Sequence, residues 1–331
     1  MNSAVNNILN RIFVNQDHII NIITNPVDKN YQSGLANINA NFWIVENAAH
    51  KNIIKYMGSP KNHHYLTRSS GFGITFDLIM CQSLDWIEEA VEISKKLCIP
   101  IIRHERFFPI ASITEEQRKA ILKINTSLNN QCFSSESCAK AWSQNGPNTI
   151  IEDVINEKIF AKIKIEKVYD IFCYQNNISM ISKGTQYSLY LNITNGFSSN
   201  LFGSNRNSIS GDVKNVVDLC VMINSASIFL DVTTEEKINP VLLQAMSCGA
   251  CCVAYNNGEN SKLITDGVNG FLYNTVEEAR AKIKTILADE YTIIKVGEKA
   301  SEITSHIKKN KEVLEKFLMQ SAQKNYWEKI R

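Results

Sequence analysis

Short runs of β-branched and aromatic residues alternate with amphipathic stretches along most of this chain, and that alternation sharply limits what it can fold into. Residues 19–24, 42–45, 76–80 and 100–103 are each apolar and strand-length, and they read as buried strands. Between the last two, Trp86, Ile87, Ala90, Val91, Ser94 and Leu97 fall on one helical face, with Ser83 placed to cap it. A strand, a crossover helix and a second strand form a βαβ unit, which requires a parallel sheet.

The second half repeats the pattern. Residues 168–174, 188–193, 228–231 and 251–254 read as strands, and 213–226 and 239–247 as helices, the latter opened by Pro240 and closed by Gly249. Two successive arrays in 331 residues predict an α/β chain of two Rossmann-like domains. The turn at Gly146 and Pro147 divides them, giving a first domain over 1–147 and a second over 148–310. A last helix within 311–331 shows Val313, Leu314, Phe317 and Leu318 at helical spacing. It is expected to cross back to the first domain.

Composition narrows the function. A 44% apolar and 21% charged make-up with net charge +2 fits a globular protein without the field that gathers polyanions. The nine cysteines are odd in number and scattered through apolar runs, as reduced thiols of a cytoplasmic protein would be. No leader-type apolar core and no run of 18 apolar residues occurs, so no membrane span is expected.

The chemistry concentrates in residues 225–273. An apolar strand runs into the acidic stretch Thr233, Thr234, Glu235, Glu236, and a helix starts at Asn239–Pro240. Loops at the carboxyl ends of parallel strands are where open α/β sheets bind ligands. Backbone amides at a helix start suit a phosphate, and a carboxylate beside them accepts hydroxyl hydrogens. The combination fits a sugar diphosphate.

This segment resembles the donor-site signature of GT-B glycosyltransferases of family 4, in which two glutamates with seven residues between them precede Ala-Met-Ala-x-Gly. Here Glu236 takes the first position and Gln244 the second, followed by Ala245, Met246, Ser247, Cys248 and Gly249. Asn257-Gly258-Glu259 and residues 264–271 are similar to the family's later turn. Residues 151–160 resemble its interdomain strand, and Lys183-Gly184 its diphosphate lysine. Residues 100–104 look like the strand that ends in a functional histidine, here His104. The resemblance implies two Rossmann-like domains facing across a cleft, with the acceptor on the first and the donor on the second. It implies retaining, metal-independent transfer from a nucleoside-diphosphate sugar, with no bound cofactor. Glu236 and His104 take the catalytic positions. Lys183, Ile238, Asn239, Pro240, Val241 and Gln244 join Glu236 in holding the donor, with Gln244 at the ribose and the amides of Asn239 to Val241 at the diphosphate. Gly34 and Arg103 are further candidates for phosphate or acceptor contacts.

Two departures stand out. Gln244 replaces a carboxylate, and residues 174–182 contain no arginine, so part of the usual charge complement is missing. Three alternatives therefore remain: a degenerate relative that binds a sugar nucleotide or glycan without turnover, an epimerase or hydrolase on the same fold, and a scaffold. The acceptor is left open among a glycan, a lipid-linked sugar, a protein and a modified DNA base. No G-x-G-x-x-G follows a strand, no phosphate-binding P-loop occurs, and Asp-x-Asp is absent. Cys248, Cys251 and Cys252 lack a second pair at zinc spacing and read as packing thiols. His63 and His64 read as an exposed loop after Pro60.

Overall fold

The chain divides between two units, one comprising Met1–Val154 with Lys309–Arg331 and the other Ile155–Lys308. The computed structural model describes residues 19–45, 48–66, 73–106, 114, 130–142, 149–175, 185–203 and 213–323. The division falls a little beyond Gly146 and Pro147, because Ile151 and Val154 pack into the first unit's core. Positions 143–148, including that turn, lie outside the described residues.

The first unit is built on seven described parallel strands in the order β3-β2-β1-β4-β5-β6-β7. These are β1 (Asn21–Thr24), β2 (Asn41–Val45), β3 (His63–Leu66), β4 (Leu78–Cys81), β5 (Ile101–Glu105), β6 (Asn130–Phe133) and β7 (Thr149–Ile150). Helix α1 (Lys29–Leu35) starts after β1, with Asp28 accepting from the amides of Asn30 and Tyr31. It is followed by α2 (Ala48–Tyr56), α3 (Ile87–Leu97) and α4 (Glu136–Ala141). Alternate residues of each strand feed two cores. Ile22, Phe42, Leu78 and Met80 pack with Tyr31 and Leu35 of α1, whereas Ile23, Ile79 and Cys81 pack with Ile87 and Ala90 of α3. Helices α1 and α3 thus cover opposite faces.

In the second unit five parallel strands run in the order β12-β11-β10-β8-β9. They are β8 (Tyr169–Gln175), β9 (Ser199–Gly203), β10 (Ala226–Asp231), β11 (Cys251–Tyr255) and β12 (Phe271–Tyr273). The helices are α5 (Thr185–Thr194), α6 (Val216–Asn224), α7 (Pro240–Ser247), α8 (Asn260–Leu263), α9 (Val276–Leu287) and α10 (Glu290–Ser301), and α11 (Ile303–Gln323) begins here and runs on into the residues of the first unit. Ile171, Cys173, Ile228, Leu230, Cys251 and Val253 form one core with Tyr190, Ile193, Ala279, Ile283 and Val296. In α11, Leu314, Leu318 and Ala322 belong to the first unit's core, beside Ile22 and Leu35. Each such leucine contributes roughly 1.5–3 kcal/mol of burial.

Three local expectations are corrected. Residues 188–193 lie inside α5 rather than in a strand, since Tyr187, Tyr190 and Ile193 meet the core at helical spacing. Arg280 closes that helix by donating to the carbonyls of Asn192, Ile193 and Asn195. Ser83 does not cap α3. A single 3₁₀ turn over Leu84–Trp86 leads into that helix, and the Ser83 hydroxyl accepts from Asn25 Nδ2 at 2.8 Å. His63 is not in an exposed loop either; it opens β3, is buried, and stacks on Phe42.

Candidate functional site

Strand β10 ends on Asp231, a carboxylate with 0% exposure. Its Oδ1 accepts from the Thr233 hydroxyl at 2.7 Å and amide at 3.3 Å, from Asn239 Nδ2 at 3.1 Å and from Gln175 Nε2 at 3.5 Å. Its Oδ2 accepts from Asn260 Nδ2 at 3.2 Å. Burial raises its pKa, and the bonds from Thr233, Asn239 and Asn260 oppose that rise. One side chain therefore ties β8, β10 and the start of α8 to the loop between β10 and α7.

Asn257 pins the same loop from the other side. Its Nδ2 reaches the carbonyls of Thr233 at 3.1 Å, Glu235 at 2.8 Å and Lys237 at 2.9 Å. A short acidic loop is thereby fixed in shape, with Glu236 exposed upon it and Ile238 half-buried beside the helix start. Sequence reasoning missed Asp231 and the anchoring amides of Asn257 and Asn260. The available signals were an acid closing a buried strand and the Asn-rich run that follows β11.

Helix α7 opens at Asn239, whose Oδ1 accepts from the Val241 amide at 3.0 Å while its Nδ2 also donates to the Tyr174 carbonyl at 3.3 Å. The expected diphosphate cradle of Asn239 to Val241 is corrected here. Pro240 has no N–H, and the Val241 amide is already bonded to the capping side chain. Along the same helix Gln244 has 0% exposure, and neither its Oε1 nor its Nε2 has a hydrogen-bond partner among the described residues. A buried primary amide left unbonded costs about 1–3 kcal/mol. It is complementary to a group that both donates and accepts, such as a pair of adjacent hydroxyls.

The other expected site residues lie in the first unit, except Lys183, which is outside the described residues. Gly34 is inside α1 and buried, not in a glycine-rich loop. Arg103 is buried and paired with Glu105, with its guanidinium 4.7 Å from the Trp142 ring centroid. Burial lowers its pKa to about 10. A guanidinium held in this way is not presented to a phosphate, which corrects that expectation.

His104 is also buried. Its Nδ1 lies 2.6 Å from the Tyr31 hydroxyl and its Nε2 3.2 Å from the Ile151 carbonyl. The carbonyl can only accept, so Nε2 carries the proton and Nδ1 accepts from Tyr31. Burial, reinforced by the charge of Arg106, lowers the His104 pKa to about 4. Arg106 grips Asp153 through two nitrogens, Nε–Oδ1 at 2.7 Å and Nη2–Oδ2 at 2.5 Å, reaches Asp28 at 3.5 Å, and lies 3.8 Å from the Tyr31 ring centroid. His104 is thus a neutral member of a closed network, with both nitrogens engaged.

Among the described residues no group of three or more His, Cys, Asp or Glu is placed to hold a metal ion, and no helix is long and apolar enough to cross a membrane.

Residues 203–289 match the family described as glycosyl transferases group 1. No curated protein matches the chain. Among solved structures, HepE of Anabaena in complex with UDP and glucose is similar, with a TM-score of 0.69 at 14% identity, covering 92% of this chain and 100% of that one. Sucrose-phosphate synthase of Thermosynechococcus elongatus gives 0.66 at 12% identity, covering 91% and 98%. A glycosyltransferase of Rickettsia africae gives 0.60 at 12%, covering 90% and 99%. At these identities the likeness speaks for the fold, and the fold is the one expected from the sequence, that of the GT-B glycosyltransferases.

Proposed function

For a chain with the GT-B fold and a group 1 glycosyltransferase segment over residues 203–289, we propose that the activity is transfer of a sugar from a nucleoside-diphosphate sugar, with retention and without a required metal. The observation that carries this reading is Gln244, a fully buried amide with both polar atoms unpartnered among the described residues, in the helix that follows the loop bearing the exposed Glu236. In this reading Gln244 spans the two ribose hydroxyls and Glu236 accepts from the hydroxyls of the transferred sugar. Ile238 and Asn239 form the wall between them, and Lys183 offsets diphosphate charge. His104, neutral and with both ring nitrogens engaged inside the first unit, has no proton-donating role in this reading. The nine free thiols fit a reducing compartment, and the cytoplasm is the proposed location.

HepE is in complex with UDP and glucose, which makes UDP the first probe. Saturating UDP at a hundred times its Kd stabilises a folded protein by about 2.7 kcal/mol. Gln244→Leu should raise the melting temperature of the free protein, because it removes an unbonded buried amide, yet abolish the response to UDP. A Gln244→Leu protein that responds to UDP as wild type does would sink the ribose assignment. Glu236→Ala should retain the UDP response and slow sugar transfer by about 10²–10³-fold, the order seen when one transition-state contact is removed. Transfer at the wild-type rate would refute its role, and proton NMR of the product's anomeric centre tests retention.

A further inference from the structure

The nine cysteines are all free thiols, and two of them meet. Cys220 on α6 and Cys248 at the end of α7 bring their sulfurs to 3.9 Å from each other. Cys81, Cys98, Cys132 and Cys252 instead donate to backbone carbonyls. Spacing in the chain points elsewhere, since Cys248 and Cys251 stand as C-x-x-C. The sulfur that lies against Cys248 comes from 28 positions away.

The surroundings make the two thiols unequal. Cys220 Sγ lies 3.1 Å from the Ile159 carbonyl, which can only accept, so the Cys220 proton points there. Cys248 is then the donor in the contact between the sulfurs. Asn224 Nδ2 stands 3.5 Å from Cys220 Sγ as a second donor. Lys167 brings a positive charge to the same helix end, its ammonium held by the carbonyls of Asn224 at 2.8 Å and Ala226 at 2.7 Å. Where a thiol is simply buried, as at Cys132 and Cys251, burial raises its pKa. At Cys220 the bond from Cys248 outweighs burial and holds the thiol below its ordinary value, while the same bond and burial raise Cys248. Cys220 is therefore the nucleophile of the pair, and Cys248 the thiol placed to resolve it.

Both side chains are buried, at 4% and 2% exposure. Residues 159–162 lie over Cys220 as an irregular stretch in which Ala161 and Lys162 are exposed. A small oxidant needs that stretch to open locally, without global unfolding.

We propose that Cys220 and Cys248 form a reversible disulfide with hydrogen peroxide as the oxidant, and that this bond weakens nucleotide binding at α7. The second half rests on the donor reading above; the first does not. The Cys220 thiolate, its proton released to water, attacks one peroxide oxygen. An S–O bond forms, the O–O bond breaks, and the departing hydroxide takes up that proton. The Cys248 sulfur then attacks Cys220; the S–S bond forms, the S–O bond breaks, and the second hydroxide takes the Cys248 proton. Two thiols lose two electrons and two protons, and one peroxide becomes two waters. The sulfurs must close from 3.9 Å to about 2.0 Å. The Cys248 amide donates to the Gln244 carbonyl at 3.0 Å, so the disulfide tethers to α6 the helical turn that begins at Gln244. A close-packed interior passes such a shift on rather than absorbing it.

The test treats the reduced full chain with hydrogen peroxide, alkylates the remaining thiols under denaturing conditions, and reads a tryptic digest by mass spectrometry. Cys220 lies in peptide 215–237 and Cys248 in peptide 238–262, and fragmentation separates Cys248 from Cys251 and Cys252. The expected product is a Cys220–Cys248 cross-link that dithiothreitol removes. Cys248→Ser should leave Cys220 as a sulfenic acid that dimedone traps. UDP affinity by calorimetry should fall at least about five-fold on oxidation, the lower end of ordinary coupling between sites, and return on reduction. If Cys220 and Cys248 both still alkylate once the partly exposed Cys98 is oxidised, the proposal is overturned. A cross-link from Cys220 to Cys251 or Cys252 in place of Cys248 also overturns it. The expected cross-link with unchanged UDP affinity removes the coupling to α7. Absence of UDP binding by the reduced protein removes the donor reading and leaves the disulfide standing.

Discussion

Asp231 has exchanged water for five protein donors, on Thr233, Asn239, Gln175 and Asn260, and its substitution separates charge from shape. Asparagine keeps the volume but turns an amine toward the Asn260 amine, setting two donors against each other. Asp231→Asn should destabilise the protein by roughly 2–3 kcal/mol, the cost of leaving buried partners unbonded, as read from urea unfolding. A change within about 0.5 kcal/mol, the range typical of surface positions, would mean that the loop is held elsewhere. Legibility at this scale follows sequence distance. Glu236 and Gln244 stand out because their spacing sits in one helix and its leading loop. The Asp231 partners Gln175 and Asn260 lie 56 and 29 positions away, and no local pattern joins them. Histidines mislead for the same reason: the buried His63 meets Gln32 Nε2 at 2.8 Å, a partner from another element.

Glycine governs one element contact. Gly249 closes α7 with φ +70, and Gly297, in the middle of α10, rests directly on it; a Cβ added at Gly297 would collide with the Gly249 carbonyl oxygen. Both colliding parts are backbone, so neither can rotate aside. Gly297→Ala should therefore cost roughly 1–3 kcal/mol, as overpacking does, although alanine is the better helix former by about 1 kcal/mol. A thermal melt decides the sign, and a stabilised variant would refute the close approach. The helix-closing glycine is readable in the sequence, as is the Pro-started helix before it. The residue it packs against is not, because Gly297 sits in an ordinary amphipathic stretch. Element type is least readable at residues 188–193, where a short apolar run fits either period and tertiary contact with Ala279 and Ile283 decides for helix.

For the whole molecule, buried histidines set the response to acid. Burial lowers His104 to about 4 and His63 to about 3, from an ordinary value of 6.5. Both are neutral in the folded protein and take up protons on unfolding. Their stabilising effect is fully present above the unfolded value and is lost as pH falls below 6.5 toward the folded values. Each should remove roughly 1 kcal/mol of stability per pH unit in that window. Asp231 acts in the opposite direction, since its raised pKa lets the folded state hold a proton more readily. Urea midpoints measured from pH 7 to 5 should fall, and Gln replacing His63 should flatten the slope. A midpoint independent of pH over that range would show the histidines to be accessible. The two-array fold is legible because strand and helix periods repeat in both halves, whereas the polar networks that set this response are assembled from distant positions.

The last core layer of the first unit is written at the far end of its own sequence. Leu314, Leu318 and Ala322 complete a core begun by Ile20 and Ile22, with all of Ile155–Lys308 between them. A nascent chain leaving the ribosome must therefore carry an unfinished first unit while the later-made unit already has every residue it needs. The order of synthesis and the order of completion are reversed. The apolar face around Leu35 and Phe42 is what a chaperone would meet in the interval.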